Sequence, residues 1–120
     1  MREVEAYGKV ALARGIKAAG HLVVHFSEKD CLVPGAPIQS SVPAPNGMFG
    51  IEFFARPGVD LTICGALEEA PGRPVRYYGK AAGTYHVDAT EEAEFKGVVI
   101  ELKHGPPLKL PTVYNPPRAG

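Results

Sequence analysis

VRYYGKAAGTYHV, residues 75–87, puts Val75, Tyr77, Gly79, Ala81, Gly83, Tyr85 and Val87 on one side of an extended backbone. Arg76, Tyr78, Lys80, Ala82, Thr84 and His86 fall on the other side. Successive side chains of a strand point to opposite faces, so this period of two predicts a long strand with one face buried. Its glycines mark a bend, a bulge or the close approach of another backbone. The segment KGVVIELKH, residues 96–104, repeats the pattern, with Val98, Ile100 and Leu102 opposed to Glu101 and Lys103. The two strands are expected to pair antiparallel. Between them lies DATEEAE, where Asp88 followed by Glu91 resembles a capping box, and one short helical turn is expected over residues 89–93.

Outward from this pair, MFGIEFFARPGVDLTIC, residues 48–64, reads as a tight hairpin. Phe49, Ile51 and Phe53 share one face, Glu52 and Phe54 the other. Pro57-Gly58 supplies the turn. Val59, Leu61 and Ile63 resume the inner face, and Cys64 falls with Asp60 and Thr62 on the outer one. At the N-terminus, residues 2–19 scatter their apolar side chains around a helix axis, whereas Val4, Ala6, Val10 and Leu12 alternate in strand register. A strand is the reading adopted there; the alanines keep a helix as the alternative. In GHLVVHF, residues 20–26, Leu22, Val24 and Phe26 alternate with His21, Val23 and His25. On a strand the two histidines share a face but stand about 13 Å apart. A zinc ion holds each ligating nitrogen at about 2 Å, so a straight strand cannot bring both to one metal.

Two segments lack a periodic face. Residues 33–47, VPGAPIQSSVPAPNG, hold four prolines and read as a long loop. Residues 105–120, GPPLKLPTVYNPPRAG, hold five and read as an extended arm. The fold predicted is therefore mainly β: an antiparallel sandwich or small barrel of six to seven strands over residues 1–104, with the C-terminal arm appended. The expected core is Val10, Leu12, Leu22, Val24, Phe26, Phe49, Ile51, Phe53, Leu61, Ile63, Tyr77, Tyr85, Val98, Ile100 and Leu102.

The 120 residues fit a single domain, and 13 basic side chains balance 13 acidic ones. No basic run of the kind nucleic-acid binding leaves is present, so a nucleic-acid partner is not expected. Nor is a membrane partner, since no run approaches the roughly 18 apolar residues of a spanning helix. The first fifteen residues carry Arg2, Glu3, Glu5, Lys9 and Arg14 without a following apolar region, which does not read as a signal peptide. Two cysteines, Cys31 and Cys64, make neither a disulfide framework nor a zinc pattern. The expectation is cytoplasmic synthesis and reduced thiols, with a single bridge between the two left open.

Chemistry-bearing motifs are sparse. There is no HExxH or CxxC, no GxSxG elbow, no phosphate loop and no GxGxxG, so no cofactor is expected. His25, His86 and Cys64 are the metal candidates, if separate strands bring them together. Solvated histidines on a polar sheet face explain the same residues. Asp88, Glu91, Glu92 and Glu94 beside His86 form the densest titratable cluster, which suits either general acid–base work or a solvated tip. The segments GHLVVHFSEKDC and VDLTICG resemble two strands of bacterial-type S-adenosylmethionine decarboxylases. That family generates its pyruvoyl group from a serine in a Glu-Ser-His setting, and no Glu-Ser-His occurs here; the resemblance implies no such activity.

The function expected from these features is that of a non-enzymatic structural or assembly subunit. It would associate with copies of itself or with other subunits through the proline-rich loop and arm, with Pro37, Pro43, Pro45, Pro106, Pro107, Leu110, Tyr114 and Pro116 in contact. Proline-rich segments lose little entropy on docking because the free chain is already stiff. A capsid decoration or tail protein of a virion is an assembly of this kind. The alternative is a small-molecule or metal-binding barrel, an enzyme or a binding protein, with its site near His86, His25 and Cys64.

Overall fold

A computed structural model describes residues 1–33, 35 and 37–110. Among these residues the regular structure is all strand: β1 (Arg2–Leu12), β2 (His21–Ser27), β3 (Gln39–Ser41), β4 (Met48–Ala55), β5 (Asp60–Glu68), β6 (Val75–Lys80), β7 (Tyr85–His86) and β8 (Ala93–Leu108). Their order across the sheet is β3-β2-β5-β6-β8-β1-β4, with β7 beside β5. The sheet curls until its two ends, joined in sequence by residues 42–47, approach each other. The mainly β reading holds.

β8 organises the body. Its first part lies parallel to β1, from Val4 opposite Ala93 to Leu12 opposite Leu102. Its last part lies antiparallel to β6, with Tyr77 opposite His104 and Val75 opposite Leu108. A bulge interrupts the first ladder between Ala6 and Gly8, and Gly97 sits inside it with φ +64°. Such a bulge inserts one residue and reverses the parity of the strand. Phe95 and Val98 therefore both face inward, which strict alternation forbids.

All fifteen residues of the predicted core pack in one cluster, Leu12, Leu22, Ile51, Tyr77 and Tyr85 at its margin and the others buried. Phe26 of β2 meets Phe53 of β4 at 4.9 Å and Phe49 edge-on at 6.4 Å between ring centroids. β2 and β4 lie near opposite ends of the sheet order, so these rings join the two halves of the body. Burying each contributes about 1.5–3 kcal/mol.

Several expectations are corrected. The stretch 48–64 is not a hairpin: β4 pairs with β1, while β5 pairs with β2, β6 and β7. Pro57-Gly58 instead carries the chain from one side of the body to the other. Strand 75–87 is broken into β6 and β7 by residues 81–84, where Gly83 takes φ +74°; both pieces lie along β5. The helical turn at 89–93 is absent. The Asp88 carboxylate does accept hydrogen bonds from the Thr90 and Glu91 N–H groups at 2.7 and 3.0 Å. Beyond them β8 begins at Ala93, which leaves no length for a helix to follow the cap.

The proline-rich segments are also partly built into the body. Residues 39–41 of the loop form β3. Residues 105–108 of the arm belong to β8, and Leu110 is buried on the outer face of the sheet with Val23, Ala66 and Val75. Tyr114 and Pro116 lie outside the described residues.

Candidate functional site

The polar and sulfur-bearing side chains gather on the outer face of β2, β5 and β3. Antiparallel registry sets His25 directly opposite Cys64 on one side and Ser40 on the other. His25 is buried at 2 % exposure, and its Nδ1 lies 2.7 Å from Ser40 Oγ. Cys64 was expected on a solvated face. It is fully buried, because the segment after β2 folds back over β5 and Cys31 is bonded to Cys64, Cα to Cα 5.8 Å. This corrects the expectation of reduced thiols.

The covering segment is held at several points. Thr62 Oγ1 accepts the Cys31 N–H at 3.0 Å and donates to the Lys29 carbonyl. Asp30 accepts the Leu32 N–H at 3.0 Å and faces Lys80 Nζ at 3.4 Å. Those contacts, the Leu32 N–H first, hold the Asp30 carboxyl below its ordinary range. Glu28 pairs with Arg56 through both carboxylate oxygens, and its pKa falls for that reason.

His86 lies elsewhere. It pairs with Asp60 at 2.8 Å, and both side chains are about 60 % exposed. Along β5, Asp60 is four residues from Cys64, about 13 Å on a strand. The metal candidates His25, His86 and Cys64 therefore do not converge. No group of three or more histidine, cysteine, aspartate or glutamate side chains among the described residues is placed to hold a metal ion. Of the acidic residues near His86, Asp88 accepts bonds from its own turn, the Thr90 N–H first, which hold its carboxyl below its ordinary range, and Glu94 lies in the β1–β8 ladder.

Described residues line clefts on the surface, among them these three. One of about 290 Å³ is lined by Ser27, Lys29 and Ile38, and one of about 380 Å³ by Glu69, Arg73 and Pro107. The third, about 370 Å³, lies between Val10, Leu12, Ala18, Leu22 and Leu67. None of these three is lined by His25, His86 or Cys64.

The outer face of β4, β1 and β8 has a different character. Glu5 stands between Glu52 on β4 and Glu94 on β8. Partial burial and a hydrogen bond with Glu52 raise the pKa of Glu5, and the charge of Glu92 foremost raises that of Glu3. Apolar side chains flank this row. Met48 of β4 and Val99 of β8, on either side of Lys9, are 51 % and 69 % exposed, and Phe54, opposite Glu3, 62 %. Alternation already opposed Phe54 to Phe49 and Phe53, which is the one sequence signal for this surface; Ser40 as the partner of His25 had no signal.

Of the residues expected to make interactions, Pro43 and Leu110 are buried in the body, Pro37 is half-buried, and Pro45, Pro106 and Pro107 are exposed. No helix among the described residues is long and apolar enough to cross a membrane. Comparison of the chain with protein-family models, with curated proteins and with solved structures gives no match.

Proposed function

We infer that this protein is a structural subunit that associates with itself. The observation that carries the reading is the outer face of β4, β1 and β8, where Met48, Val99, Phe54 and the partly exposed Tyr7 are presented to solvent around a row of glutamates. Exposed apolar side chains on one face are what a contact between copies would bury. The side chains that could have carried catalysis support the same reading. His25 is bonded to Ser40, His86 to Asp60, and Cys31 to Cys64. His25, Cys31 and Cys64 lie buried in the body, while His86 and Asp60 are exposed.

Exposed Pro45, Pro106 and Pro107 add stiff contact points at low entropic cost. Shells, tubes and rings are built from subunits of this design, and a virion decoration or tail component is one candidate. Sedimentation velocity and light scattering of the full chain across a wide concentration range test the reading. Association that grows with concentration is the expected result; a 12.8 kDa monomer throughout would overturn it.

A further inference from the structure

We propose that the Cys31–Cys64 bond is a redox latch: a thiol reductant opens it at Cys31, residues 28–33 leave β5, and Cys64 is uncovered as a thiolate between His25 and Lys80. The latch goes beyond the self-association reading and does not depend on it. Neither cysteine belongs to the apolar clusters that hold the body. Among the described residues 28–33, Cys31 is the one buried side chain; Leu32 is half-buried and Val33 exposed. The hydrogen bonds and ion pairs of this segment are polar ties near the surface. Thr62 Oγ1 holds the Cys31 N–H and the Lys29 carbonyl, Asp30 faces Lys80, and Glu28 pairs with Arg56. Water replaces such ties at little cost, so the covalent bond is what keeps the segment down.

Strand register builds the seat of Cys64. His25 stands directly opposite it on β2, and Lys80 directly opposite it on β6. Directly paired residues of antiparallel strands share a face, with Cα atoms about 4.5–5.5 Å apart. Ser40 holds the His25 ring from the far side, Oγ to Nδ1 2.7 Å. Lys80 faces the Asp30 carboxylate at 3.4 Å. Asp30 adjoins Cys31, so opening the latch carries that carboxylate away as the Cys64 thiolate appears. One anion replaces the other beside the same ammonium group. A cation and an imidazole next to a sulfur favour its thiolate, which makes Cys64 the better leaving group of the two.

The step is a two-electron exchange. A thiolate of the reductant attacks Sγ of Cys31, the less deeply buried residue, at 4 % exposure against 0 % for Cys64. The S–S bond breaks, and its electron pair leaves with Cys64. A second reductant thiolate then attacks the reductant's sulfur in the mixed disulfide on Cys31. This releases Cys31 as a thiolate, which takes a proton from water. Two reductant thiols have become one disulfide, and the protein has gained two electrons. A small-molecule disulfide closes the latch by the reverse steps. The apolar clusters are untouched throughout; what changes is the cover of β5.

The test uses the full chain and 2-mercaptoethanol, a neutral thiol that surface charge does not steer. Iodoacetamide traps each protein thiol as it forms, and peptide mass spectrometry locates the products. The mixed disulfide should fall on Cys31 and the alkyl group on Cys64; the reverse assignment overturns opening at Cys31. Lys80→Met should slow the cleavage at least about threefold. A merely structural Asp30–Lys80 tie would, once lost, loosen the segment and speed the reaction, so faster or unchanged cleavage overturns the role of Lys80. In the fully reduced chain, amide order parameters over residues 28–33 should fall from about 0.85 to below about 0.6, while those of β1, β5 and β8 hold. Cys31→Ser should give the same mobile segment with no reductant present. A segment that stays ordered after reduction overturns the latch. Loss of order throughout the sheet overturns it as well, because the bond would then be a staple of the whole body.

Discussion

Reduction of the Cys31–Cys64 bridge should lower stability by about 4 kcal/mol while leaving the folded body in place. The bridge closes a loop with a sequence separation of 33. The chain-entropy relation for that loop gives about 12 cal/mol/K, or about 4 kcal/mol near room temperature, all of it from the unfolded state. The unfolding entropy of a chain this long converts the loss into a fall in melting temperature of about 15 °C. The assay is thermal and urea unfolding by circular dichroism, with and without a phosphine reductant, which compares identical side chains. The urea m-value should rise on reduction, because an uncross-linked unfolded chain exposes more surface. The double variant Cys31→Ala/Cys64→Ala should melt at or somewhat below the reduced wild type, since it also removes two buried sulfurs. A reduced protein that melts within about 3 °C of the oxidised one would refute the reasoning. So would two titratable thiols in the denatured, unreduced chain.

Glu5→Gln should raise the melting temperature at neutral pH. Glu5 has a pKa raised by partial burial and by Glu52, so the folded state holds its proton more tightly than the unfolded one. Wild-type stability should therefore fall as pH rises from the ordinary carboxylate range through the raised value, and the variant should flatten that limb; an unchanged profile counts against the Glu52–Glu5–Glu94 row. Gly79→Ala should destabilise by at least about 2 kcal/mol in urea unfolding, because a Cβ there would stand 2.0 Å from the Glu101 carbonyl oxygen. Leu110→Ala should cost about 2 kcal/mol in the same assay, as Leu110 packs on Val23, Ala66 and Val75; no loss would mean that the chain after β8 does not cover the outer face.

Phe54 and Gly79 mark how far the chain could be read without its structure. Phe54 is off the inner register by simple alternation, and its exposure follows. Gly79 lies on a strand where glycine signals close approach, yet the backbone it meets, Glu101, lies on a neighbour whose identity alternation cannot supply. The candidate site was less legible. His25, Ser40 and Cys64 are brought side by side by the register of three strands, and no local spacing encodes that register. The burial of Cys64 comes from a segment folded back over β5, a contact between residues 33 positions apart.

By itself the sequence determined which side chains turn inward. That property is local: each strand has two faces, and the apolar one leaves water whatever its neighbours are. Only the tertiary structure decided which strands are neighbours. Pro57-Gly58 suits a hairpin as well as the crossing that sends β4 to β1 and β5 to β2, and the choice is made by Phe26 packing on Phe49 and Phe53 across the body. The pairing of the cysteines and the parity change at Gly97 are decided in the same way, because each depends on where a distant segment lies.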